Sequence, residues 1–258
     1  MSGVDKFLEN CGGKWTTCTV GEITNEGITY VKNEHWLNLL LSQIASTGHN
    51  VIVMCPKSLQ TLVESIANKK VVGHFQPFYF DNVEKMFILV HNFLNKRKER
   101  MLDRVSPSAN IHSTAVIGAD AMRIVFDPEE DDPPLKMIHM GNVVINRGVE
   151  IGPHATIHRG SIGSTVIGAY NFIGSYVNIG HNVKTGQFCA FTPYTCIGGS
   201  VRIGENVLFG MGTVVRDNVS ICDGVKIGMG SLVVKDIKEP GLYFGSPAER
   251  KGDWDGIW

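Results

Sequence analysis

The chain has 258 residues, 43% of them hydrophobic and 19% charged, with a net charge of −1. That is enough apolar material for one large core or two small ones, and the near-neutral balance argues against a general nucleic-acid or membrane-surface binder. No apolar run approaches the ~18 residues of a membrane span.

The opening stretch, Met1 to Trp15, lacks the apolar centre of a signal peptide. The cysteines are Cys11, Cys18, Cys55, Cys189, Cys196 and Cys222, and none forms a CxxC pair. These features predict reduced thiols in a cytoplasmic protein, without a zinc site. Residues 1–104 read as a small α/β domain. Ile28 to Val31 is a predicted strand. Asn33 to Ser46 is a helix with Trp36, Leu37, Leu40, Leu41 and Ile44 on one face. Asn50 to Cys55 reads as a buried strand, Ser58 to Ala67 as a second helix and Lys70 to Phe75 as another strand. Asn82 to Arg100 reads as a third helix. Its basic end, Lys96 to Arg100, suits a solvated helix C-terminus, where cations complement the macrodipole.

From Val105 the pattern changes. Apolar residues recur every six positions at Val105, Ile111 and Ile117, stop, and resume at Ile145, Ile151 and Ile157. Between them, residues 121–137 hold Asp127-Pro128-Glu129-Glu130-Asp131-Asp132-Pro133-Pro134, which cannot form a buried coil and reads as an excursion loop. A short insertion at Ser161 to Ser164 precedes an unbroken run: Ile167, Ile173, Ile179, Thr185, Phe191, Ile197, Ile203, Phe209, Val215, Ile221, Ile227 and Val233. A second column sits two residues earlier, among it Val177, Val183, Cys189, Thr195 and Val201. A period of six fits neither a helix nor a meander; it fits a hexapeptide-repeat parallel β-helix over residues 105–238, each hexad a short strand plus a corner. Residues 239–258 read as a C-terminal tail.

Four segments carry a resemblance beyond the period. Gly148-Val149-Glu150-Ile151-Gly152, Thr156-Ile157-His158-Arg159-Gly160, Thr165-Val166-Ile167-Gly168 and Ile179-Gly180-His181-Asn182-Val183 follow one another in an order similar to the UDP-3-O-acylglucosamine N-acyltransferase family of sugar N-acyltransferases. The resemblance implies a left-handed β-helix, a homotrimer, and acyl transfer in clefts between prisms. The family's catalytic base falls on His181, and its oxyanion donor, the backbone N–H one coil later, on Gly199. In the N-terminal domain, Gly27 to Trp36 resembles the family's uridine-binding segment, which places nucleotide contacts on Tyr30, Asn33 and Trp36. Two aromatic faces stack on a pyrimidine, and an amide serves the base edge as donor and acceptor.

The chain also departs from the family pattern. The repeat is shorter, and a short tail stands where the family has a long C-terminal helix. His158 replaces the aspartate of the I-D-R-G segment, Gly174 a carboxylate before the base, and Asn218 a second histidine. These changes point to a relative that acylates another nucleotide-linked amino sugar, such as a 4-amino or 3-amino deoxysugar of surface polysaccharide. The expected partners are a UDP- or dTDP-amino sugar and a short acyl-CoA, acetyl-CoA foremost, as co-substrate, with no resident cofactor. Lys238, Arg250 and Lys251 are candidates for the donor phosphates.

The chemistry requires a base and an oxyanion donor, and a histidine is suited to the first near neutral pH. His158 and Asn178 are candidates to orient His181 or to contact the sugar. His154 and His158 stand four apart on a predicted strand and share a face, which suits a metal ion or a sugar phosphate or, more plainly, surface histidines. Other readings are a sugar O-acetyltransferase, a lipid A-type enzyme using acyl carrier protein, and a trimeric nucleotide-sugar-binding scaffold. A γ-type carbonic anhydrase needs a second histidine five residues after the first; Gly186 stands there.

Overall fold

A computed structural model of the chain describes residues 16–18, 27–32, 34–47, 51–67, 75–95, 102–126 and 133–254. The chain divides into two units, residues 1–99 with 122–138 and residues 100–121 with 139–258.

The first unit has a four-stranded parallel sheet, β1 (Thr16–Thr17), β2 (Gly27–Tyr30), β3 (Val51–Pro56) and β4 (Phe75–Phe80), in that spatial order. Val51 to Cys55 are all buried, as befits a continuous apolar run in a parallel sheet. Helix α1 (Glu34–Thr47) turns Leu37, Leu40 and Ile44 inward. A 3-10 turn (Lys57–Leu59) leads into α2 (Gln60–Ala67), and α3 (Val83–Asn95) follows β4. Of the strand expected at Lys70 to Phe75, residues 70–74 lie outside the described residues, as do 96–100 of the third helix; the described strand β4 runs Phe75–Phe80. Pro77 hid this strand from the sequence pattern, and β4 accepts a proline because it is at the sheet edge.

The excursion contributes an antiparallel pair, Ile124–Val125 with Leu135–Lys136. Helix α3 grips it. Asn92 donates to the Lys136 carbonyl at 2.9 Å and accepts from the Ile138 N–H at 2.9 Å, while His91 Nε2 donates to the Ile138 carbonyl at 2.9 Å. These bonds place residues 122–138 with the first unit, whereas the pattern reading left the loop inside the second. The acidic stretch 127–132 lies outside the described residues.

The second unit is a three-sided prism of parallel sheets whose coils wind left-handed. Consecutive coils stack in register: Lys184 pairs with Arg202, Ala190 with Leu208, Cys196 with Val214. Every residue of the unbroken hexad series is buried, Thr185 included, and so is the second column. Phe191 and Phe209 stack at 4.8 Å in the centre. At the C-terminal end Gly241–Phe244 continues one sheet, and Glu249–Gly252 folds back on it antiparallel. The segment read as a tail thus caps a sheet edge.

Among the described residues no helix is long and apolar enough to cross a membrane, and no cluster of three metal-ligating side chains occurs. Cys18, Cys55, Cys189, Cys196 and Cys222 are free thiols; burial pushes Cys55 and Cys189 up to about 12.

Candidate active site

The site is built at one corner of the prism. Strands Thr156–His158, Asn178–Ile179 and Cys196–Ile197 lie side by side and feed the corners Arg159-Gly160, His181-Asn182 and Gly199-Ser200. The second corner residue is left-handed, with φ of 60° at Asn182 and 62° at Ser200, a conformation asparagine tolerates. Backbone bonds stack the corners: Ser200 N–H donates to His181 O at 2.7 Å, and Asn218 N–H to Gly199 O at 2.9 Å.

This stacking brings His181 against Gly199. A Cβ at position 199 would stand 2.6 Å from His181 Nε2 and 2.8 Å from Cε1. The imidazole therefore occupies the space a side chain would need, and only glycine allows the approach. Among the described residues the Gly199 N–H has no hydrogen-bond partner within the fold.

Asn182 decides the tautomer. Its Oδ1 accepts from the Ser161 backbone N–H at 2.9 Å and from Ser161 Oγ at 2.8 Å, while its Nδ2 donates to Gly163 O at 3.3 Å. A backbone N–H only donates, so the amide orientation is set. His181 Nδ1 lies 3.0 Å from that same Oδ1 and must carry the hydrogen. The lone pair of the neutral ring is then on Nε2, the atom that faces Gly199. The insertion Ser161 to Ser164 thus supplies the cradle for Asn182. Gly160 leaves room for it, since a Cβ there would collide with Gly163 O. His139, fully buried, meets the His181 ring edge-on at 6.0 Å.

The other sequence candidates are distributed as follows. His158 Nε2 faces Asn178 Oδ1 at 3.0 Å, and Asn178 Nδ2 faces Cys196 Sγ at 3.8 Å. This pair bonds to each other, and Asn182 holds the imidazole of His181 instead. His154 is not on the strand with His158. It sits at the preceding corner with φ of 58°, exposed and stacked on Tyr176 at 4.9 Å. Arg159, one coil below His181, donates to Gly118 O at 2.7 Å and Gly141 O at 3.1 Å, with Asp103 at 3.7 Å and Asp120 at 3.6 Å. It ties together the chain segments that leave and re-enter the prism.

Tyr30 lies in the first unit, its ring 4.7 Å from Phe87. Asn33 lies outside the described residues, as does the side chain of Trp36. Of the donor candidates, Arg250 pairs with Asp253 and Lys251 with Glu249 at 3.0 Å, while Lys238 is exposed. Sequence reasoning missed Ser161, His139 and the role of Asn182. The Ser161 insertion was the available signal, since a break in period marks a segment with another task.

The bacterial transferase hexapeptide family matches residues 200–235. The chain is 41% identical over 80 residues to a UDP-3-O-acylglucosamine N-acyltransferase of Rhizobium rhizogenes, covering 31% of this chain and 22% of that protein. It is 43% identical over 84 residues to the protein of that name from Coxiella burnetii, covering 33% and 24%. The chain therefore spans less than a quarter of the length of the curated relatives it matches. These matches bear out the resemblance read from the sequence. Among solved structures, UDP-N-acetylglucosamine O-acyltransferase of Moraxella catarrhalis aligns with a TM-score of 0.44 at 21% identity, over 58% of this chain and 72% of that one. Perosamine N-acetyltransferase of Caulobacter crescentus, solved with CoA and GDP-perosamine, aligns with a TM-score of 0.33 at 16% identity, over 90% and 99%.

Proposed function

We propose that this protein is an N-acyltransferase that moves a short acyl group from acyl-CoA to the amino group of a nucleotide-linked amino sugar, with His181 as general base. One observation carries the reading: Nε2 of a tautomer-fixed imidazole faces a glycine whose N–H has no other duty. The neutral sugar amine attacks the thioester carbonyl and the C–N bond forms. His181 Nε2 takes the amine proton, and the Gly199 N–H meets the oxyanion. As the oxyanion collapses, the C–S bond breaks. The imidazolium returns its proton to the departing thiolate, giving the amide and free CoA. The local likeness to curated sugar N-acyltransferases supports this class of reaction.

Tyr30, Asn33 and Trp36 hold the nucleotide in this reading, and Lys238 is the donor candidate with no acidic partner among the described residues. Three copies form the working unit. The prism exposes Phe172, Tyr176, Phe188 and Tyr194 along one side, beside a groove of about 660 Å³ lined by Phe172, Ala190, Phe191 and Pro193. Apolar surface of this kind suits burial by threefold association. The test is turnover of a panel of UDP- and dTDP-amino sugars with acetyl-CoA, followed by free thiol release. Turnover only with an acyl carrier protein, or only on sugar hydroxyls, would reverse the assignment.

A further inference from the structure

The first unit holds a charged cluster that the proposed chemistry does not use. Glu84, on α3, receives Lys32 Nζ at 3.0 Å on one carboxylate oxygen and Arg123 at 3.5 Å on the other. Arg123 also donates a short hydrogen bond to the Tyr30 hydroxyl, which in turn donates to Glu84 at 3.4 Å. Burial pushes the Tyr30 phenol above its ordinary range, against the pull of Arg123 and Lys32, so it stays a neutral donor. The phenol and the carboxylate together hold the guanidinium plane in one orientation.

One carboxylate does not satisfy two cations. A guanidinium has five N–H donors and an ammonium three. Among the described residues Glu84 and one phenol serve both, leaving a surplus of one positive charge. The cluster is also open. The Lys32 side chain is 52% exposed, Glu84 31% and Arg123 21%. Both cations lie over the Tyr30 ring, at 5.6 Å for Arg123 and 5.8 Å for Lys32, near the ~6 Å outer limit of cation–π contact. The ring adds a weak attraction at that distance, and Glu84 supplies the charge partner. A pre-oriented guanidinium fork beside an exposed ammonium is an arrangement that suits phosphate oxygens.

Arg123 comes from the excursion, outside the hexad pattern and outside the segment that resembles a uridine site. The pair Ile124–Val125 with Leu135–Lys136, held by Asn92 and His91, fixes the chain directly after it. The excursion thus brings a cation to Tyr30 that the N-terminal segment alone does not supply.

We propose that Arg123 and Lys32 form a clamp for the diphosphate of the nucleotide sugar, and that delivering Arg123 is the task of the excursion. The proposal rests on the reading of Tyr30 as a nucleotide contact. Coenzyme A also carries a diphosphate, so the test separates the two sources.

Titration calorimetry of the full chain with UDP, dTDP, uridine, thymidine and CoA provides the test. The wild type should bind one of the nucleoside diphosphates at least about tenfold more tightly than its nucleoside. Arg123→Gln and Lys32→Gln should each weaken that diphosphate about tenfold or more and leave the nucleoside unchanged, since each removes charge-assisted bonds. Arg123→Lys should recover part of the loss. Arg123 also bonds Tyr30 and Glu84, so its variants are checked by thermal melting. Lys32, half exposed, is the variant that leaves packing intact. Unchanged diphosphate affinity in both Gln variants overturns the clamp. A loss confined to CoA overturns the nucleotide assignment. A wild type that binds neither nucleoside diphosphate removes the Tyr30 reading and the clamp together, while His181 chemistry stands or falls on the turnover assay alone.

Discussion

Adding a single methyl group at Gly199 tests the active-site geometry. In Gly199→Ala the new Cβ would lie 2.6 Å from His181 Nε2, 2.8 Å from Cε1 and 3.0 Å from Cδ2. Comfortable contact begins at ~3.5 Å, so the ring must retreat by roughly 0.9 Å. The backbone at 199 is not in the left-handed region, so alanine is accepted there without conformational strain. It also retains the N–H, so the oxyanion donor survives. The loss therefore reports the imidazole position alone. A misplacement of ~1 Å costs on the order of 10²-fold in rate, or about 2.7 kcal/mol of transition-state stabilisation. Steady-state kinetics should show kcat down about 100-fold, with KM for the nucleotide sugar moved by less than about twofold. The decisive arm is the double mutant. On a His181→Ala background the same methyl should cost less than about threefold, because no ring remains to displace. A folded Gly199→Ala enzyme with kcat within about threefold of wild type would refute the reasoning, as would full additivity in the cycle.

Other perturbations give separate readings. His181→Asn should lower kcat by ~10²–10⁴ with KM for the nucleotide sugar little changed, measured alongside the oligomeric state. Asn182→Ala removes the acceptor for Nδ1 and should cut kcat about ten- to a hundredfold. Asn182→Asp keeps an acceptor at the same oxygen and should retain more activity than the alanine variant; equal losses would mean that Asn182 acts only on folding. Phe191→Ala empties half of the central Phe191–Phe209 stack and should cost about 3–5 kcal/mol in chemical denaturation.

Much of the prism could be read from sequence because its period is short and its inward positions are strict. Ile167 through Val233 all face the core, and even the exception, Thr185, is buried, with its hydroxyl taking the Gly168 N–H at 2.8 Å. The corner pairing of His181 with Gly199 was legible for the same reason, since coil spacing is a fixed number of residues. Asn182 was visible as a letter and not as a role, because its partner Ser161 belongs to an insertion that breaks the period. Residues 76–80 of β4 were missed because a proline in a strand reads as a breaker until the strand is known to lie at an edge. The fate of the excursion was hidden because its bonds to Asn92 and His91 join residues more than forty apart, which no local pattern records.

The same excursion sets an order for assembly. In the later coils a strand meets its partner eighteen residues on, as Lys184 meets Arg202, whereas Arg104 meets Val144 only after forty. Closing the longer loop costs about 0.7 kcal/mol more by chain entropy. The coils after Val143 therefore zip together on short closures, and the first coil joins a template already in place. The ribosome releases that first coil before any of the others, so the earliest prism residues made are the last to find their rung.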